Sequence, residues 1–393
     1  AGFYRPEVIE WCRSIEERYS PPEKPVLLLL PCSHKKPYSL SKTHKLISKT
    51  LEEAEGVLRQ SVSRGSESIP STSQCPQSSQ NHKNHPPQEK PPNPLIHLSI
   101  NSWLHRVVVT SPLGIVPMEL ENFYPANSYD IPVVGQWLPE EKERIQSLLK
   151  CLIEKGKYRY AIIHLGGESG FIAEVLKSTG IPYCSTVENE KDEKPLSEAA
   201  LNRLKKTLVN VIMKMNQENV AAGVSSPGKY SREKEKYEEI CASIIFQFGR
   251  MIFPEDIHII GKYPFWKIEY QKKQLAMFVP EKSQWSLTLE GAGFLAGAGI
   301  NVIETEDFEL KGTLFCKGII NADKRIRPGD EVVIVSEKSG TIDEKENSVE
   351  TRIESDTLQK KLRVKACGVA ALSGREMMEL KKGVAVKVRH RAS

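Results

Sequence analysis

Pro31-Cys32-Ser33-His34-Lys35-Lys36-Pro37-Tyr38, with Ser41 and His44 just behind, puts a thiol, hydroxyls, two cations, a phenol and two imidazoles into one short stretch. A cysteine that follows a buried strand, precedes a helix start and has Lys35, Lys36 and His44 nearby has several features that make a thiolate available as a nucleophile. The plainer reading makes Cys32 a small buried packing residue and leaves binding to Ser33 or to the backbone. Ser41 and His44 lie three apart on the expected helix and share a face. They either point at the site or cap and pack.

These residues need strands and helices to hold them. "VLLLL" (26–30), "RVVVT" (106–110), "YAIIHL" (160–165) and "IPYCST" (181–186) read as buried strands, separated by helical patterns over 41–58, 140–154 and 170–178. That alternation predicts an α/β layer with a parallel sheet covered on both faces. In such sheets ligands bind beyond the carboxyl ends of the strands, where loops vary and helix N-termini offer free N–H groups. The first strand ends at Pro31, Cys32 and Ser33, the second at Ser111, Pro112, Leu113 and Gly114, and the third at His164 followed by Gly166 to Gly170. Three loops therefore bring small or reactive residues to one edge. The segment "MELENFYPANSYDIPVVGQW" (118–137) is able to close over that edge with Glu119, Tyr124, Tyr129 and Asp130, or to be an ordinary surface loop.

The 393 residues are enough for two or three domains. No apolar run approaches the roughly 20 residues of a membrane helix, so no membrane partner is expected. Eight scattered cysteines without a C-x-x-C spacing indicate reduced thiols in a cytoplasmic protein and no structural metal site. The chain starts Ala1-Gly2-Phe3 with neither Met nor a signal-peptide pattern, which reads as a fragment or a processed product. From 56 to 94 the composition turns to Ser, Gln, Asn, His and Pro and predicts a disordered insertion, its His82 and His85 being polar filler. The α/β domain thus spans 1–195. An amphipathic helix from Ser197 and a linker follow over 196–229, and a small α+β domain over 230–310. The glycines of "GAGFLAGAG" lack the Lys-Ser/Thr of a phosphate loop and the context of a dinucleotide fingerprint, so they read as turn and close-packing positions, with no cofactor implied.

Residues 311–393 hold 18 Lys and Arg against 12 Asp and Glu, a surplus of 6 in a chain whose net charge is +5. Here "GIINADKRIRPGDEVVIV" and "KKGVAVKVRHR" read as short strands (315–320, 331–335, 363–368, 384–389) joined by tight turns such as Pro328-Gly329-Asp330. The segment resembles a PUA domain, the β-rich pseudo-barrel appended to RNA-modifying enzymes. The resemblance implies that Gly318, Asp323, Gly329, Asp330, Gly368 and Gly383 shape the fold. It also implies an RNA-binding surface around Gly318, where Lys317, Lys324, Arg325, Arg327, Lys382 and Arg389 meet phosphate. The alternative for each cation is a solvated surface charge.

"PCSHKKPYSLSKTH", with the later "VTSPLGIVPMELENFYPA" and "YDIPVVGQW", resembles the archaeosine synthase α subunit family of archaeal tRNA modification. The likeness covers everything except the low-complexity insertion, and Pro31, Cys32, Ser33, Lys36, Pro37, Tyr38, Ser41 and His44 are the matching motif positions. It implies a transferase that joins the ε-amine of free L-lysine to the nitrile of 7-cyano-7-deazaguanine in the tRNA D-loop, giving an amidine adduct. A radical S-adenosylmethionine partner subunit would then cleave away the lysine skeleton. The N-terminal transglycosylase-like domain frequent in the family is not expected here, and with it base exchange. The chemistry suits the residues: Cys32 as a nucleophile, His44, His164 or Asp130 as proton carrier, and Ser33, Ser111 and loop N–H groups as donors. Two rival readings are a non-catalytic tRNA-binding subunit that presents tRNA to a partner enzyme, and a base glycosylase holding an extruded base.

Overall fold

Val26, Leu27, Leu28, Leu29 and Leu30 are each at most 1 % exposed, which a strand achieves only when both of its faces are covered. The computed structural model describes residues 2–65, 99–129, 137–167, 169–188, 193–224, 231–337, 350–352 and 361–392. The chain divides into two compact units, 1–16 with 20–242 and 17–19 with 243–393.

The first unit opens with α1 (Pro6–Glu17), an element not expected from the sequence, although Val8, Trp11 and Ile15 recur at helical spacing and are all buried. Then come β1 (Val26–Pro31), α2 (Lys42–Gly65), β2 (Leu104–Thr110), β3 (Gly114–Pro117), α3 (Pro139–Lys155), β4 (Tyr160–Ile163), α4 (Gly170–Thr179), β5 (Tyr183–Ser185), α5 (Glu198–Ala221) and α6 (Arg232–Phe248). The sheet order is β3-β2-β1-β4-β5, with β1 parallel to β2 and β4, β4 parallel to β5, and β3 antiparallel to β2. The chain leaves β1 toward β2 on one side and later returns past it to β4 on the other. Right-handed crossovers therefore lay α2 on one face and α3 and α4 on the other. Helix α5 packs on α2, and α3 on α4. The point where the order reverses lies between β1 and β4, where a doubly wound sheet opens a crevice at its carboxyl edge.

Disorder was expected from Gly56, but the described part of that stretch, 56–65, continues α2, with Leu58 fully buried. The remaining residues of the expected insertion, 66–94, lie outside the described residues. Helix α5 starts as the sequence indicates: the Ser197 hydroxyl accepts from Ala200 N at 3.1 Å.

In the second unit β6 (His258–Ile260), β7 (Lys267–Tyr270), β8 (Lys273–Val279) and β9 (Gln284–Leu287) form an antiparallel sheet in that order. The Gly-rich segment is α7 (Leu289–Gly297). A Cβ on Gly291 would sit 2.0 Å from the Leu275 carbonyl oxygen, so close packing is the reason for that glycine.

A seven-stranded sheet follows, with β10 (Val302–Thr305), β11 (Thr313–Phe315), β12 (Ile319–Ala322), β13 (Glu331–Glu337), β14 (Glu350–Arg352) and β15 (Lys361–Ala370). Helix α8 (Gly374–Glu379) and β16 (Val384–Arg391) complete it. The order is β11-β16-β15-β13-β10-β12, with β14 on β15. The single strand expected over 315–320 is two strands, because a 3-10 turn over Cys316–Gly318 breaks it and sends β11 to β16 and β12 to β10. Helix α7 packs on β8 as well as on β13 and β15.

Candidate active site and nucleic-acid interface

Beyond Pro31 the chain turns through Cys32 to Pro37 into a short 3-10 turn at Tyr38–Leu40, then enters α2. Ser41 caps that helix: its hydroxyl accepts from His44 N at 3.1 Å. One turn in, the buried His44 ring donates from Nε2 to the Pro31 carbonyl at 3.0 Å. Burial pushes the His44 pKa down to about 4, against the opposing pull of that carbonyl. The imidazole is therefore neutral at pH 7 and clamps the last carbonyl of β1 directly before Cys32.

Within the loop, Ser33 Oγ donates to the Lys35 carbonyl at 3.1 Å, and Lys36 Nζ donates to the Ser33 carbonyl at 2.5 Å. The half-buried Cys32 thiol donates weakly to the Ser33 carbonyl at 3.7 Å. The Lys36 ammonium lies 5.1 Å from the centre of the Tyr38 ring and 4.5 Å from that of Tyr129. Tyr38, fully buried, shares a 2.5 Å hydrogen bond with the Tyr129 hydroxyl, which also bonds Thr110 Oγ1 at the end of β2. Burial, followed by the charge on Cys32, pushes the Tyr129 pKa up, and a hydrogen bond to Cys32 adds to the rise. The β1 loop, the end of β2 and Tyr129 are thereby brought together.

The other expected site residues are placed as follows. Ser111 stands at the same edge and its hydroxyl bonds Glu141 in the first turn of α3. Gly114 turns the chain into β3 at φ +78°, a left-handed conformation that glycine adopts without strain. His164 begins the loop after β4, fully buried, with Nδ1 2.8 Å from Thr186 Oγ1. Burial drives its pKa to about 4, against the Pro195 carbonyl and Glu193. Glu119 is not brought to this edge. Strand β3 carries the chain back, so that Glu119 accepts from His105 Nε2 at 3.1 Å near the start of β2. Asp130 lies outside the described residues. Among those described, no group of three or more His, Cys, Asp or Glu side chains is arranged to hold a metal. No described helix is long and apolar enough to cross a membrane.

In the second unit Lys317, Lys324 and Lys382 are exposed. The Arg389 and Arg325 guanidinium groups are engaged within the fold. Arg389 donates to both Glu331 carboxylate oxygens, at 2.8 and 2.6 Å, and to the Leu287 carbonyl at 2.9 Å. Arg325 embraces Asp323 at 3.0 and 2.9 Å, while the Arg327 backbone N–H donates to Asp330 at 2.9 Å. Gly318 has no room for a Cβ, which would lie 2.7 Å from the Phe308 ring. Phe315 was missed from the sequence. It is 56 % exposed and pairs with Val384 across β11 and β16; Lys317 follows it by two positions and Lys382 precedes Val384 by two. An aromatic flanked by cations suits base stacking. Its signal was the lone aromatic in "KGTLFCKG".

The family described as Domain of unknown function (DUF5591) matches residues 8–66 and 69–208, which include the whole β1 loop. The chain belongs to the DUF5591 family. A PUA domain matches residues 304–392. Among curated relatives, the chain is 30% identical to "Archaeosine synthase subunit alpha" of Methanosarcina acetivorans over 98% of its own length and 50% of the relative's. It is 29% identical to the protein of the same name from Thermoplasma acidophilum (98% and 57%) and 25% identical to "Archaeosine synthase" of Haloferax volcanii (98% and 52%). The chain thus spans about half the length of the curated relatives it matches. The crystal structure of AF0587, a protein of unknown function, shares the fold at a TM-score of 0.60 and 23% identity, covering 98% of this chain and 100% of that one. DUF5591 therefore accounts for most of the first unit, and the PUA match for the seven-stranded sheet of the second.

Proposed function

We propose that this chain modifies tRNA in archaeosine biosynthesis, adding the ε-amine of lysine to the nitrile of 7-cyano-7-deazaguanine in the D-loop to give an amidine adduct. The observation that carries the reading is the position of Cys32. It stands at the carboxyl end of β1, beside the sheet's reversal point, with its loop anchored by His44 and Lys36. The names of the relatives and the PUA match over the basic end support the choice of a tRNA substrate. The words "subunit alpha" in two of those names favour a partner subunit, which we take to be a radical S-adenosylmethionine enzyme.

In this reading the Cys32 thiol adds to the nitrile carbon and the amine displaces it. Covalent attack splits one difficult addition into two easier ones. His44 sets the Pro31 carbonyl, and with it the direction in which Cys32 leaves the strand. The exposed Lys317, Lys324 and Lys382 hold tRNA phosphate, with Phe315 against a base.

Labelled lysine, tRNA bearing the cyano-deazaguanine and the isolated chain provide the test. Label should enter the RNA with the wild type and should drop by at least about a hundredfold with Cys32→Ala. Folded wild-type chain that binds this tRNA and transfers no lysine would instead favour a presenting subunit without catalysis.

A further inference from the structure

An addition to a nitrile leaves a strongly basic nitrogen that must receive a proton as the bond forms, and the elimination that follows needs that proton moved again. Two of the three proton carriers expected from the sequence are committed elsewhere. The His44 ring holds the Pro31 carbonyl and His164 is sealed beside Thr186, both buried and both neutral at pH 7.

Tyr129 is differently placed. It is half-buried, and its hydroxyl joins those of Tyr38 and Thr110 and lies beside the Cys32 thiol. The Tyr38 ring is fully buried and cannot follow a substrate, so it serves as an anchor. Thr110 Oγ1 donates to the Ser111 carbonyl over a long 3.3 Å. Rotating that one hydroxyl toward Tyr129 turns the phenol from donor to acceptor on the Thr110 side and points its proton outward. Lys36, 4.5 Å over the ring, adds a cation that favours negative charge on the phenol oxygen during transfer. Burial holds the phenol protonated through neutral pH, as a donor must be.

We propose that Tyr129 is the proton-transferring residue of the amine-to-nitrile addition, with Tyr38 and Thr110 as positioning residues that hold its hydroxyl beside Cys32. The proposal rests on the reading given above. In the first step the S–H bond breaks and C–S forms. One π pair of the nitrile moves to nitrogen, which takes the Tyr129 proton while Tyr129 takes the thiol's, leaving a neutral thioimidate. In the second step the lysine nitrogen bonds to the same carbon. The C–S bond then breaks, and the proton lost by the amine passes through Tyr129 to the departing sulfur. The sum is one nitrile and one amine giving one amidine, with the thiol and the phenol restored.

The experiment measures single-turnover lysine transfer to the cyano-deazaguanine tRNA by wild type, by Tyr129→Phe and by protein carrying 3-fluorotyrosine at Tyr129. Melting temperature and tRNA affinity are followed in parallel. Tyr129→Phe should lose about a hundredfold or more in rate, the usual worth of general acid–base catalysis, with tRNA affinity unchanged. The more acidic fluorophenol should change the transfer rate at neutral pH, where both phenols are fully protonated and only their strength as proton donors differs. Wild-type activity with Tyr129→Phe within about threefold of it overturns the assignment to Tyr129 and leaves the transferase reading standing. A wild type without transfer overturns both. If Tyr129→Phe melts early, the fluorotyrosine protein decides alone, and an unchanged rate at neutral pH overturns the proposal.

Discussion

His44 spends its only ring proton on the Pro31 carbonyl, and the interior around it opposes a second one. An unfolded imidazole titrates near 6.5, whereas His44 and His164 do so at about 4 in the fold. Between those values the unfolded chain binds protons that the native one refuses. The stability these histidines contribute is thus complete above about pH 6.5 and lost as pH falls toward 4. Melting temperatures across that window should fall steeply for the wild type and less so for His44→Gln, although the variant starts lower from loss of the clamp. The motif around His44 was visible in the sequence as a cluster. Its distribution of duties was not, because a histidine's role depends on which carbonyl lies opposite, and Pro31 is thirteen positions away. Tyr129 was read as able to close over this edge, but no local pattern announces that its hydroxyl meets Tyr38 and Thr110.

At the scale of elements, long strands and helices were legible because burial on both faces leaves continuous apolar runs such as Val26–Leu30. Short elements were not. The four residues of β3 carry no period, yet they reverse the chain and take Glu119 to the far edge of the sheet. Strand β16 shows another limit. Its outward cations look alike in sequence, but Arg389 is locked to a Glu331 that is only 5 % exposed. Arg389→Ala should therefore cost about 3 kcal/mol in urea unfolding, because it leaves a buried carboxylate without its partner, while the salt dependence of tRNA binding stays unchanged. Lys317→Ala and Lys382→Ala should do the reverse, leaving stability alone and each lowering the slope of log K against log salt by roughly 0.7 to 0.9. In α7, Gly291→Ala must push against backbone and should destabilise by about 1 to 3 kcal/mol, read from the same urea curves.

For the molecule as a whole, charge and pH act through a buried acidic group in the first unit. Glu239 accepts from Asn122 Nδ2 at 2.9 Å, yet burial first and the neighbouring Glu121, Glu235 and Glu119 next push its pKa up to about 8. The native chain holds this proton where the unfolded one has released it, so stability falls as pH rises from about 4.5 through 8. Glu239→Gln should flatten that decline, as melting temperatures at pH 6 and 9 would show. With the histidines acting on the acid side, the stability maximum should lie near neutrality.

Strand β10 sits between β12 and β13, and the Arg389 guanidinium reaches back to the Leu287 carbonyl that ends β9. The seven-stranded sheet is therefore not severable at Lys311, where the pattern of short strands begins in the sequence. A chain started at Lys311 would lack β10 and would expose an unpaired edge on each of β12 and β13, inviting aggregation. Anyone transplanting this module would have to carry α7 and β10 with it.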